Sequence, residues 1–173
     1  MTKGLQRSHA RGPKALAPIV KDTIVLDGMT VTVTSTGAAI GFGSVQISDF
    51  PEGNILVLGL AGTLGLAGSG ADANLAATWA GDFGIGTTPA SDATISVGDE
   101  DMVTEAAIGP ATAEVVAAFR VAQATQGIFD NTDGSLELNL NVLIDAADIV
   151  DDTSVVLTLS GTLEIAYIRL GDD

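Results

Sequence analysis

The feature that most constrains this chain is an alternation of apolar and polar side chains with a period of two, which no helix can bury on one face. Leu136, Leu138, Leu140, Val142 and Ile144 alternate with Glu137, Asn139, Asn141 and Leu143. Val155, Leu157, Leu159, Leu163, Ile165 and Tyr167 do the same against Thr158, Ser160, Thr162 and Glu164, with Gly161 marking a bulge or bend. Met29, Val31 and Val33 alternate with Thr30, Thr32 and Thr34. Each pattern predicts a half-buried strand. Asp27-Gly28, between Thr23–Leu26 and Met29–Thr34, has the composition of a tight hairpin turn.

Further strands are expected at Ala38–Ser48, Asn54–Leu60, Leu75–Gly81 and Thr94–Val97. Turn-forming stretches at 49–53, 68–70 and 88–92 separate them. Ala111–Ala124 is ambiguous, because its alanines favour helix while Val115, Val116 and Val121 favour strand. Many short strands at this spacing predict an all-β fold, an antiparallel β-sandwich or jelly-roll-like domain. Glycines at 59, 62, 65 and 68 recur every third residue, but the run is too short and too proline-poor for a collagen helix.

Charge divides the chain in two. Lys3, Arg7, Arg11, Lys14 and Lys21 are five of the seven basic residues, and no acid precedes Asp22, so residues 1–21 carry +5. The other two basic residues and all 22 acids leave residues 22–173 at −20. The expected organisation is a basic, extended N-terminal arm over 1–21 and an acidic β domain over 22–173. Gly12-Pro13 interrupts any helical face the arm's basic residues could form. An acidic protein surface is the expected partner of Lys3, Arg7, Arg11, Lys14 and Lys21. The −20 body repels phosphate and the arm has no aromatic residue to stack on a base, so no specific nucleic acid is expected.

Composition removes several chemistries. There is no Cys, and His9 is the one imidazole, so thiol nucleophiles, thiolate metal sites and multi-histidine metal sites are excluded. A Ser-His-Asp arrangement would need the arm to fold back into a site. Neither a dinucleotide fingerprint nor a Gly-Lys-Ser/Thr phosphate loop is present. No catalytic residue, cofactor or metal ligand is assigned, and the chain is read as non-enzymatic. Two acidic clusters, Asp99-Glu100-Asp101 with Glu105 and Asp145, Asp148, Asp151 with Asp152, leave a surface calcium open. Asp130–Gly134 fails as a calcium loop, since alignment on Gly134 puts Phe129 and Leu140 at ligand positions; it reads as a turn before the strand at Leu136. Mean hydropathy is high, at +0.41. Yet the most apolar run, Ile55–Ala67, is about 13 residues against about 20 for a spanning helix. No membrane partner is expected, and the apolar surface is expected to be buried between subunits.

Several segments, in order, resemble a family of virion structural proteins of tailed bacteriophages. They are Trp79–Thr87 (WAGDFGIGT), Ala107–Thr112 (AIGPAT), Ile128-Phe129-Asp130, Leu140–Asp145 (LNVLID) and Tyr167–Asp173 (YIRLGDD). The resemblance implies a head decoration, or cement, protein, made in the host cytoplasm and placed on the capsid exterior, where it clamps neighbouring subunits of the major capsid protein. It also implies a small β-rich oligomer; a homotrimer is expected first and a dimer second. Two other functions remain open on the residues alone: a tail or fibre component, and a calcium-dependent adhesive or carbohydrate-binding β-sandwich.

Overall fold

A computed structural model describes residues 18–37, 39–68, 73–111, 114–121 and 128–171. These described residues form nine strands: β1 (Ile19–Val25), β2 (Thr30–Thr34), β3 (Gly41–Asp49), β4 (Asn54–Gly68), β5 (Trp79–Gly86), β6 (Val103–Ala111), β7 (Glu114–Val121), β8 (Glu137–Ile144) and β9 (Ser154–Gly171). They make one sheet in the order β6-β5-β8-β3-β2-β9-β4-β7, with β1 also on β9, and every pairing is antiparallel. The outermost strands, β6 and β7, are consecutive in sequence and joined by residues 112 and 113 alone. Three Cα–Cα steps reach at most about 11 Å, so the sheet must curl until its two ends meet. The expected all-β, antiparallel, sandwich-like architecture is what this curl produces.

β9 is the spine. Its 18 residues pair along one side with β4, from Leu157 to Gly171. On the other side Ser154–Thr158 pair with β2 and Thr162–Ile168 with β1. β1 and β2 therefore lie end to end on β9 and not against each other. The expected hairpin at Asp27-Gly28 is overturned. The turn itself forms, with Met29 N–H donating to the Leu26 carbonyl (3.0 Å) and Gly28 at φ +83°. Its flanks find better partners on β9: Leu26 N–H reaches the Gly161 carbonyl (3.0 Å), and Asp27 Oδ1 accepts from Gly161 N–H (2.8 Å). Gly161 is the bend expected from its place in the pattern. Its φ of +103° suits glycine, and a Cβ there would stand 2.2 Å from the Thr63 carbonyl oxygen.

The alternating residues of β9 (Val155, Leu157, Leu159, Leu163, Ile165, Tyr167) are all buried, as are Val31, Val33, Leu138, Leu140, Val142 and Ile144. β8 departs from the half-buried expectation. Asn139, Asn141 and Leu143 on its other side are at most 3% exposed. Residues 87–101 cover that side, and Asn141 holds them: its Nδ2 donates to the carbonyls of Thr88 (3.0 Å) and Asp99 (2.7 Å), and its Oδ1 accepts from Ala90 N–H (2.7 Å). A strand with one face on the core and one under a loop must lose its polar exposure, yet three hydrogen bonds satisfy the amide.

Other boundaries shift for local reasons. The strand expected at Leu75–Gly81 begins at Trp79 and runs to Gly86; Leu75 makes only an isolated bridge to Ile149. Thr94–Val97 is not a strand but part of the covering loop, which ends in a 3-10 turn over Val97–Asp99. Val103–Ala111, unanticipated because Gly109-Pro110 breaks its pattern, is β6. The ambiguous segment resolves to strand over Glu114–Val121, paired with Leu60–Ala67 of β4; residues 122–124 lie outside the described residues. β4 runs through its glycines to Gly68, 15 residues in all, because β9 and β7 satisfy both of its edges.

Gly161→Ala is expected to cost about 2 kcal/mol or more, from the positive φ and the clash with Thr63. Urea unfolding measures it, and an unchanged midpoint would contradict the assigned bend.

Candidate interaction surface

Of the five basic residues expected to bind a partner, Lys3, Arg7, Arg11 and Lys14 lie outside the described residues. Lys21 is in β1, since strand structure begins at Ile19, inside the segment read as an arm. Its ammonium stands 3.9 Å from a Glu164 carboxylate oxygen, and both side chains are well exposed. Such a pair contributes about 0–1 kcal/mol.

The acids fall mainly on loops and on the layer built from β3, β8, β5 and β6. Many act as staples. Asp101 accepts from Thr87 N–H (2.9 Å) and Thr87 Oγ1 (2.7 Å), and Glu100 accepts from Glu105 N–H (2.6 Å). Asp148 accepts from Ala80 N–H (2.9 Å), and Asp152 from Gly37 N–H (2.7 Å). Among the described residues no three acids or histidines gather as a metal-holding group. Asp130 and Asp133 close successive turns through Thr132 and Ser135. The buried Asn131 between them bonds the Phe50 and Pro51 carbonyls and accepts from Leu136 N–H (2.7 Å), which ties the β3–β4 turn to the start of β8. The turn expected before Leu136 is therefore present.

Crowding shows in the protonation of these acids. Partial burial, then repulsion from Asp145, raises Asp82 above its ordinary value. Burial, then Asp82 and Glu100, raises Glu105. Burial raises Asp101 despite its bonds to Thr87. Asp133 moves the other way, held low by Ser135. On the neutral side, Tyr167 is pushed up to about 12 by burial and by donating to the Asp22 carboxylate (2.9 Å).

The opposite layer is different in kind. Outward positions of β1 and β2, β9 and β4 carry Thr23, Thr30, Thr32, Thr34, Thr63, Thr158 and Thr162, with Ser154, Ser160, Ala61 and Ala67 between them. Lys21 and Glu164 are the charged side chains on these paired outward positions, and they form an ion pair across a diagonal of the β1–β9 ladder. Ile19, Ile168 and Leu56 form an apolar row across one end. Sequence pattern signals half of this: the threonines of β2 and β9 alternate visibly with the core, but nothing in the sequence shows that β1, β2, β9 and β4 share one face.

A slot of about 10 Å³, room for one water, lies among Asp22, Asp49, Phe50 and Tyr167. A shallow groove of about 200 Å³ lies over Ala61, Gly62, Thr63, Thr162 and Glu164, on the charge-poor face.

No protein-family model matches this sequence, and no curated protein matches it. Among solved structures, the chain is similar to part of a structure of infectious bursal disease virus Gx strain, at 11% identity and TM-score 0.43, over 89% of this chain and 33% of that one. A structure of the Gt strain gives 12% identity and TM-score 0.38, over 96% and 36%. The chain spans about a third of the length of each of those proteins.

Acids with raised values bind protons more tightly in the folded chain than in the unfolded one. Asp82, Asp101 and Glu105 thus make stability increase as pH falls from neutral toward the ordinary carboxylate range. Asp133 has the opposite sign: its contribution is complete above its ordinary value and is lost below it. The melting temperature is expected to rise between pH 7 and about pH 5, and combining Asp82→Asn with Glu105→Gln should flatten the rise. An unchanged slope in that variant would refute the assignment.

Proposed function

We propose that this chain is a non-enzymatic virion structural protein that decorates the outside of a tailed-phage capsid. On this reading it clamps neighbouring subunits of the major capsid protein and is anchored in part by the basic segment 1–21. The carrying observation is the division of charge. A +5 segment leads directly into β1, whose far edge pairs with no other strand among the described residues, while the rest of the chain carries −20. An acidic body stays soluble at high copy number on an exposed shell, and a basic segment can seek acidic protein surface on a neighbour. Single exposed ion pairs are weak, so such anchoring needs several copies of the segment acting together.

The segments that resemble phage virion proteins support the same reading. Trp79–Thr87 covers β5, Ala107–Thr112 the end of β6 and Leu140–Asp145 the end of β8, which are neighbours in the sheet. Tyr167–Asp173 falls at the end of the spine. Three of the five segments therefore fall on adjacent strands of one layer, while Ile128-Phe129-Asp130 lies off the named strands and Tyr167–Gly171 ends β9 in the other.

Because β1 begins at Ile19, deleting residues 1–17 leaves every strand among the described residues intact. The shortened chain should keep its strand circular dichroism while losing binding to purified undecorated capsids. Binding of the full chain should weaken steeply with added salt. Equal, salt-insensitive binding by both chains would overturn the anchoring.

A further inference from the structure

We infer that two copies of this chain pair face to face through the outer surface of β1, β9 and β4, making a twofold dimer. The first observation is where apolar surface is left uncovered. Of the nine exposed large hydrophobic residues among those described, five (Ile19, Val25, Leu58, Val156 and Leu170) belong to these three adjacent strands. The remaining four, Ile40, Val97, Ile128 and Val150, lie off the named strands or in the short 3-10 turn. Concentration of exposed apolar groups on one sheet face marks an interaction surface rather than ordinary scatter.

Charge selects the occupant. Residues 22–173 carry −20, so two copies repel each other in most orientations. The outward positions of these strands carry one acid, Glu164, and it is neutralised by Lys21 of the same chain. This face is where a second copy can approach without acid meeting acid. Charge depletion in the centre is also how interface cores differ from the rest of a surface. By register, the backbone of Glu114 and Arg120 in β7 pairs with Ala67 and Ala61 of β4.

Size fits the small end of specific interfaces. β4 has 15 residues, about 50 Å at ~3.3 Å each, beside β9, and β1 adds a third strand over its 7 residues, about 23 Å. At ~4.8 Å per strand the face is roughly 590 Å² per copy, close to the ~600 Å² per partner at the lower end of standard interfaces. The side chains in its middle are mainly threonine, serine, alanine and glycine, so no bulky group stands between two copies of the curved face. A face that is complementary to itself gives twofold symmetry, in which each residue meets its counterpart's neighbours. The pairing thus favours a dimer over the trimer expected from the family resemblance.

Sedimentation equilibrium of the isolated full chain tests this without any capsid, so its result is independent of the decoration reading. The expected mass is twice 17.4 kDa at micromolar concentration. The double variant Val25→Asp, Val156→Asp changes only exposed positions and should sediment as a monomer with unchanged strand circular dichroism. If that variant fails to fold, thiol placement decides. The chain has no native Cys, so Thr162→Cys should crosslink copy to copy with a short bismaleimide, whereas Ser91→Cys, on the loop over the other layer, should not. A monomeric full chain, a trimeric mass, a dimer that survives both aspartates, or crosslinking through Ser91→Cys alone would each overturn the inference. A chain that dimerises only after residues 1–17 are removed would do so too, by showing that its own arm covers the face.

Discussion

The pairing of β9 with three other strands holds the rest of the molecule in place. β4 runs along one edge of β9, and β1 with β2 shares the other, so one whole layer of the curl is organised on a single 18-residue strand, and β2 passes the sheet on to β3. Register is strongly fixed there. A slip of one residue would turn Leu157, Leu159, Leu163 and Ile165 out and the threonines in. The bend at Gly161, clasped by Asp27, lets the strand keep one register on either side while the sheet changes direction.

This arrangement separates two outer surfaces by chemistry. The layer of β5, β6 and β8 carries the crowded acids Asp82 and Glu105 and the loop pinned by Asn141. The layer of β1, β9 and β4 carries small neutral side chains with a few exposed aliphatic ones. A uniformly acidic protein would stay apart from its own copies. Segregating the charge keeps one face available for contact and leaves the other to solvent. On the decoration reading, the first serves assembly, the acidic one faces outward, and the basic segment serves attachment.

Much of the fold was legible in the sequence because alternation reports burial directly. β2, β8 and β9 could be placed from period two, and the bend at Gly161 from its interruption. What failed had tertiary causes. Asp27-Gly28 carries the composition of a hairpin turn, but turn chemistry alone cannot tell whether the flanking strands pair with each other or with a third. Asn139 and Asn141 look solvent-facing until a loop from 50 residues earlier covers them. β6 hides behind Gly109-Pro110. The charge division was visible at once, whereas the charge-poor face required strands distant in sequence to be brought side by side.

The proposal that this chain is a component of an assembled shell is tested most directly by quantitative mass spectrometry of density-purified phage particles, counting this chain against the major capsid protein. A copy number comparable with that of the shell protein is expected. A handful of copies per particle would assign the chain to the tail, and its absence from purified particles would contradict a virion role altogether.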